Sequence, residues 1–147
     1  MEITQATEAD AEIIATILGE IEAYYGGDNA PGDLAEVRAA LFGERPAATV
    51  LLARDGAEVL GMASYTFLWP AAGAETSLYL KELYVRARAR RRGVARALMA
   101  KLEAVATEAD CSRVEWTADA DNPSALAFYE ALGAKPQAGK IFYRSSL

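Results

Sequence analysis

Apolar residues along the chain recur with two periods, and the switches between them mark out its elements. In "MEITQAT" (1–7), Ile3 sits among polar neighbours, and the alternation predicts a first strand. Thr7 and Asp10 make a capping-box variant ahead of Ile13, Ile14, Ile17, Leu18 and Ile21, which share one helical face. Tyr24 and Tyr25 lead into Gly26-Gly27, which stops that helix. Leu34, Val37, Leu41 and Phe42 predict a second short helix closed by Gly43. Strand patterning returns in "TVLLAR" (49–54) and "EVLGMASYTFLW" (58–69). They are joined at Asp55-Gly56, a dipeptide suited to a tight hairpin. "TSLYLKELYV" (76–85) predicts a fourth strand.

Beyond it Val94, Leu98, Leu102 and Val105 recur at helical spacing, so a helix of about four turns starts near Gly93. "SRVEWTA" (112–118) predicts a fifth strand. Asn122-Pro123 opens another helix, asparagine as its cap and proline at its first position, and Leu132-Gly133 closes it. "KIFYRS" (140–145) predicts a last strand. Strands and helices interleaved in this order make a single mixed α/β sheet covered by helices, in one domain over 1–147.

Composition narrows the chemistry. Of 147 residues 52% are hydrophobic and 24% charged, the balance of a folded soluble protein. No run approaches the roughly 18 apolar residues of a membrane span, and the acidic start lacks the positive segment of a secretion signal. Cys111 is the single cysteine, so no internal disulfide forms. A reduced, cytoplasmic setting fits, with Cys111 as a small buried hydrophobe. There is no histidine. That removes Ser-His-Asp and Cys-His catalysis and the commonest metal ligand, and leaves proton transfer to Asp, Glu, Tyr, Lys, water or a terminus.

Charge is distributed unevenly. The net charge is −6, yet 86–92 holds five arginines, so the remainder stands at −11. A nucleic-acid arm, a solvated surface run and a phosphate cradle all account for such a stretch. A basic surface for nucleic acid should extend beyond one loop, and the acidic remainder opposes it. A strand running through a glycine-containing loop into a helix is an anion site, because the first helical N–H groups are unpaired and the dipole adds positive charge.

Arg90-x-x-Gly93-x-Ala95, following "ELYV", resembles the acyl-CoA motif of the GNAT superfamily of N-acyltransferases. "DNPSALAFYEALGA" (121–134) resembles that superfamily's second motif, with its asparagine, short helix, tyrosine and Leu-Gly. The order of elements matches as well. "LFGERP" (41–46), "GMASYTF" (61–67) and "LYLKELYV" (78–85) resemble its diamine and thialysine acetyltransferase branch. The implied fold is a mixed, mostly antiparallel sheet whose fourth and fifth strands splay. The implied reaction is direct attack of an amine on the thioester of acetyl-CoA in a ternary complex. No metal, nucleic acid or membrane takes part, and a homodimer is expected.

The resemblance also assigns roles. Backbone N–H groups of Arg90, Arg91, Arg92, Gly93, Val94, Ala95 and Arg96 would hold the pyrophosphate, and the segment Leu83, Tyr84 and Val85 would pair with the pantetheine and offer an N–H to the developing oxyanion. Asn122 would bond the pantetheine or cap its helix. Tyr129 would protonate the departing sulfur. Glu82, through a water, would act as base. The acceptor side draws on Glu22, Tyr24, Tyr25, Asp28, Tyr65 and Trp69, acidic and aromatic groups suited to a cation. Lys81 stands where the diamine branch has an acid, which suggests an acceptor carrying a carboxylate beside its amine. A peptide N-acetyltransferase and a non-catalytic CoA-binding domain are the alternatives.

Overall fold

A computed structural model describes residues 1–147. They form two compact units, Met1–Trp116 and Thr117–Leu147. The larger unit contains β1 (Glu2–Gln5), α1 (Ala11–Tyr24), α2 (Leu34–Phe42), β2 (Thr49–Asp55), β3 (Glu58–Leu68), β4 (Ser77–Val85), α3 (Val94–Glu108) and β5 (Arg113–Glu115). Single 3-10 turns at Glu8–Asp10 and Ala87–Ala89 precede α1 and α3. The sheet order is β1-β2-β3-β4-β5, antiparallel except for the parallel β4–β5 pair.

Local chemistry accounts for the boundaries. The Thr7 N–H donates to Asp10 Oδ2 at 2.9 Å, closing the capping box before α1. The Glu36 N–H donates to Asp33 Oδ1 at 2.9 Å and fixes the start of α2. Gly56 turns the β2–β3 hairpin at φ +60°. On one sheet face Ile14, Ile17 and Ile21 of α1 and Val37 of α2 pack with Val50, Leu52 and Met62. Leu51 and Ala53 alternate with Val50 and Leu52 and are equally buried, so both faces are covered, the second by α3 through Leu98 and Leu102. Each such aliphatic side chain contributes about 1.5–3 kcal/mol relative to exposure.

The β3–β4 ladder contains the feature that positions the site. Ser64 faces Glu82 and Tyr65 faces Leu80, so Lys81 is an extra, unpaired residue. A bulge bends its strand and increases the local twist. The β4–β5 ladder pairs Ser77, Leu78 and Tyr79 only, and it ends just before the bulge. Residues 80–85 therefore leave β5 behind, and the fourth and fifth strands splay. Gly61 sits where a Cβ would stand 2.6 Å from the Tyr84 carbonyl oxygen and 3.3 Å from Val94 Cγ1. Its lack of a side chain lets β3, the end of β4 and the start of α3 meet.

In Thr117–Leu147, α4 (Pro123–Ala131) begins at Asn122, whose side chain accepts from the Ala125 N–H at 3.2 Å, with Pro123 at the first turn. Gly133 closes it at φ +84°. The strand expected over 140–145 is not formed. Ile141 is 75% and Tyr143 84% exposed, and the segment has no regular structure. A strand must pair its backbone with a neighbouring edge, and 140–145 forms no ladder. The strand expected over 112–118 is confined to Arg113–Glu115. Cys111 is half-buried rather than part of the core.

Candidate functional site

The end of β4 and the start of α3 bring together two sets of unpaired backbone groups. Past Tyr79, β4 has no partner on its β5 side. Leu83, Tyr84 and Val85, all half-buried, lie on this free stretch. Register places Glu82 with Ser64 and Tyr84 with Met62, on the face covered by α1, while Leu83 opposes Ala63 on the other. Glu82 is also half-buried and Lys81 exposed. Because Lys81 is the bulged residue, the alternation that would separate it from Glu82 does not hold there.

Gly93 caps α3 at φ +77° with no side-chain hydrogen bond, and the first bond of that helix runs from the Ala97 N–H to the Gly93 carbonyl at 3.0 Å. The N–H groups of Val94, Ala95 and Arg96 thus begin the helix with no side-chain cap from this chain. A Cβ at Gly93 would meet nothing within 4 Å. Arg91, at φ +63°, is a second left-handed residue two positions earlier. This bent run of backbone, opening into a helix, is a concavity of N–H donors suited to phosphate oxygens. An acyl-CoA pyrophosphate fits that donor set.

The arginines divide by partner. Arg86 forms a two-pronged pair with Glu20, at 3.1 Å from Nε and 2.8 Å from NH2, and it is partly buried. It is an internal tie rather than the solvated surface charge that the run alone suggests. Arg88 pairs with Glu58 at 3.0 Å and Arg92 with Asp55 at 3.3 Å, both exposed. Arg91 and Arg96 are exposed and enter none of the ion pairs. Arg90 donates from Nε to the Val85 carbonyl at 3.2 Å, and its guanidinium lies over Tyr24 and Tyr84. An open groove of about 500 Å³ runs here, lined by Glu20, Tyr24, Asn29 and Tyr84 with Arg86, Arg88 and Arg90. Sequence reasoning missed Glu20 and Asn29, which lie on a helix and a loop whose proximity only the fold sets.

Among the acceptor-side candidates, Glu22, Tyr24, Tyr25 and Asp28 gather at the exposed end of α1, where Tyr24 and Tyr25 meet edge to face at 5.1 Å. Tyr65 is set apart, only 6% exposed within the sheet. Burial pushes its hydroxyl pKa up, against a hydrogen bond with Thr49, and keeps it neutral. Trp69 is 69% exposed, and its Nε1 donates to the Ala74 carbonyl at 2.9 Å. In the smaller unit, Asn122 caps α4 and Tyr129 is half-buried on that helix, its ring 5.3 Å from Phe128. No helix is long and apolar enough to cross a membrane.

Comparison with known proteins bears on the family and the fold. The sequence pattern described as "Acetyltransferase (GNAT) family" matches residues 11–134. A solved integron cassette protein from the mobile metagenome of V. cholerae is 33% identical, with a TM-score of 0.86 over 99% of this chain and 91% of its own. A probable acetyltransferase is 22% identical, with a TM-score of 0.81 over 100% and 98%. An aminoglycoside acetyltransferase from an uncultured soil metagenomic sample, solved with sisomicin, is 19% identical, with a TM-score of 0.81 over 99% and 95%. No protein of curated function matches the sequence.

Proposed function

We propose, on the premise that this chain belongs to the acetyltransferase (GNAT) family and is an acetyl-transferring enzyme, that its acceptor is a primary amine of a small molecule. Enzymes of this family use acetyl-CoA as co-substrate. The observation that supports a coenzyme cradle in this chain is the uncapped start of α3 at left-handed Gly93, beside a β4 edge free past Tyr79; the acceptor class rests on the acidic and aromatic end of α1. The N–H groups of Val94, Ala95 and Arg96 hold the pyrophosphate, aided by the unpaired Arg91 and Arg96. In the reaction the amine nitrogen bonds to the thioester carbonyl carbon and the carbon–sulfur bond breaks. A backbone N–H within 83–85 stabilises the charge that develops on the carbonyl oxygen.

An alkyl ammonium has a pKa of about 10.4, so a proton must leave before attack. Glu82 receives it through a water. Tyr129 donates a proton to the departing sulfur, and the second proton that the nitrogen sheds as the amide forms passes to water, which restores the tyrosine. The acidic and aromatic end of α1 favours a cationic acceptor. Lys81 favours one that also carries a carboxylate, which extends the diamine and thialysine resemblance to basic amino acids. The aminoglycoside acetyltransferase is a fold neighbour acting on small-molecule amines, in keeping with that class. The enzyme works as a homodimer in a reduced cytoplasm.

The test supplies acetyl-CoA with diamines, polyamines, lysine-like amino acids and peptides, and reads thiol release. Small amines should be acetylated. Lys81→Glu should move preference from amino acids toward diamines of matched length, because it exchanges attraction for a carboxylate for attraction for a second ammonium. Thiol release with peptide amino termini alone would overturn the small-molecule reading. A diamine preference untouched by Lys81→Glu would remove the carboxylate.

A further inference from the structure

Arg90 holds a contact that none of these roles uses. It opens the Arg-x-x-Gly stretch, yet its guanidinium lies 5.5 Å from the centre of the Tyr24 ring and 5.8 Å from that of Tyr84, within cation–π range. Its Nε is held by the Val85 carbonyl at 3.2 Å. One side chain therefore ties together the last residue of α1, the end of β4 and the loop leading into α3. The neighbouring Arg86, Arg88 and Arg92 are each committed to a carboxylate. Arg90 is gripped by rings, which fix it without neutralising it.

The residue that follows gives the grip a purpose. Arg91 sits at φ +63°, a conformation that a non-glycine residue keeps only when its surroundings fix it. Anchoring Arg90 on both its Nε and its plane pins the chain immediately before that strained position. We propose that Arg90 is a positioning residue that couples the Tyr24 end of α1 to the backbone N–H groups of 91–96. With the clamp closed those donors are ordered before the coenzyme arrives. With it open their ordering is deducted from binding. By linkage, an acceptor that settles against Tyr24 strengthens coenzyme binding by the same factor as the coenzyme strengthens its own. The inference rests on reading this loop as the acetyl-CoA cradle.

Calorimetry with CoA alone tests it, with no dependence on turnover. Tyr24→Leu removes the ring from a side chain 51% exposed and should weaken CoA binding by about 3- to 10-fold. Tyr24→Phe keeps the ring and should bind as wild type. In an Arg90→Met background, itself weaker through loss of charge, Tyr24→Leu should have no further effect. Wild-type affinity in Tyr24→Leu, or an equal loss in both backgrounds, would overturn the clamp. If Gly93→Asp weakens binding while Tyr24→Leu is silent, the clamp alone fails. A wild type that does not bind CoA removes cradle and clamp together.

Discussion

At Gly93 the backbone, not the available room, selects the residue. A Cβ there would meet no atom within 4 Å, but φ is +77°. Asparagine tolerates this left-handed region better than most side chains and aspartate shares its shape, so the pair separates geometry from charge. Gly93→Asp should weaken acetyl-CoA binding by roughly tenfold more than Gly93→Asn, since only the first sets a carboxylate against the phosphates. Equal affinities in a calorimetric comparison would deny the loop its anion. Tyr129 poses a different question, because its ring already has packing to do against Phe128 at 5.3 Å. Tyr129→Phe keeps that packing and deletes one hydroxyl. Turnover should fall by about 10²–10⁴-fold, with acetyl-CoA affinity unchanged. Full activity under conditions where chemistry limits the rate would leave Tyr129 a packing residue.

Between elements, Asp10 and Arg54 tie the entry of α1 to the first two strands. Arg54 NH2 lies 2.8 Å from Asp10 Oδ1, and Arg54 Nε donates to Thr4 Oγ1 at 2.9 Å. Burial pushes the Asp10 carboxyl pKa up. The Thr7 N–H, the Arg54 hydrogen bond and charge, and the Thr7 hydroxyl together outweigh burial and hold it below the usual value. A carboxyl depressed on folding adds stability that is present above its unfolded pKa, about 4, and is lost as pH falls through the folded one. Asp10→Asn should therefore lower Tm at pH 7, and the gap to wild type should close in acid. A gap that persists at pH 2 would mean that packing, not charge, explains the loss. The Thr7–Asp10 cap was legible in the sequence, as were every helix and the first four strands, because periodicity and capping are local. Lys81 was not legible as a bulge, since Lys-Glu in a strand reads as ordinary alternation until its partner strand is known. The 140–145 strand failed for a related reason. Its β-forming residues are local, while the edge it would need is not. Arg90 was assigned to the coenzyme by motif alone, and its grip on Tyr24 depends on a contact between residues 66 apart in sequence.

Across the whole molecule, positive charge is more nearly neutralised than a run of five arginines suggests. Three of them, Arg86, Arg88 and Arg92, carry counter-charges from Glu20, Glu58 and Asp55. At low ionic strength, where the Debye length reaches about 30 Å, an approaching polyanion meets the net −6 of the chain before it meets Arg90, Arg91 or Arg96. Stopped-flow mixing at rising ionic strength should then show coenzyme association growing faster over the low-salt range while dissociation also quickens. An association rate that falls steeply with salt would instead mark an attractive far field. Internal ion pairing thus separates capture from retention. On the expected outcome the loop would recruit an anion slowly and release it slowly, and discrimination among anionic ligands would fall to residence time rather than to encounter.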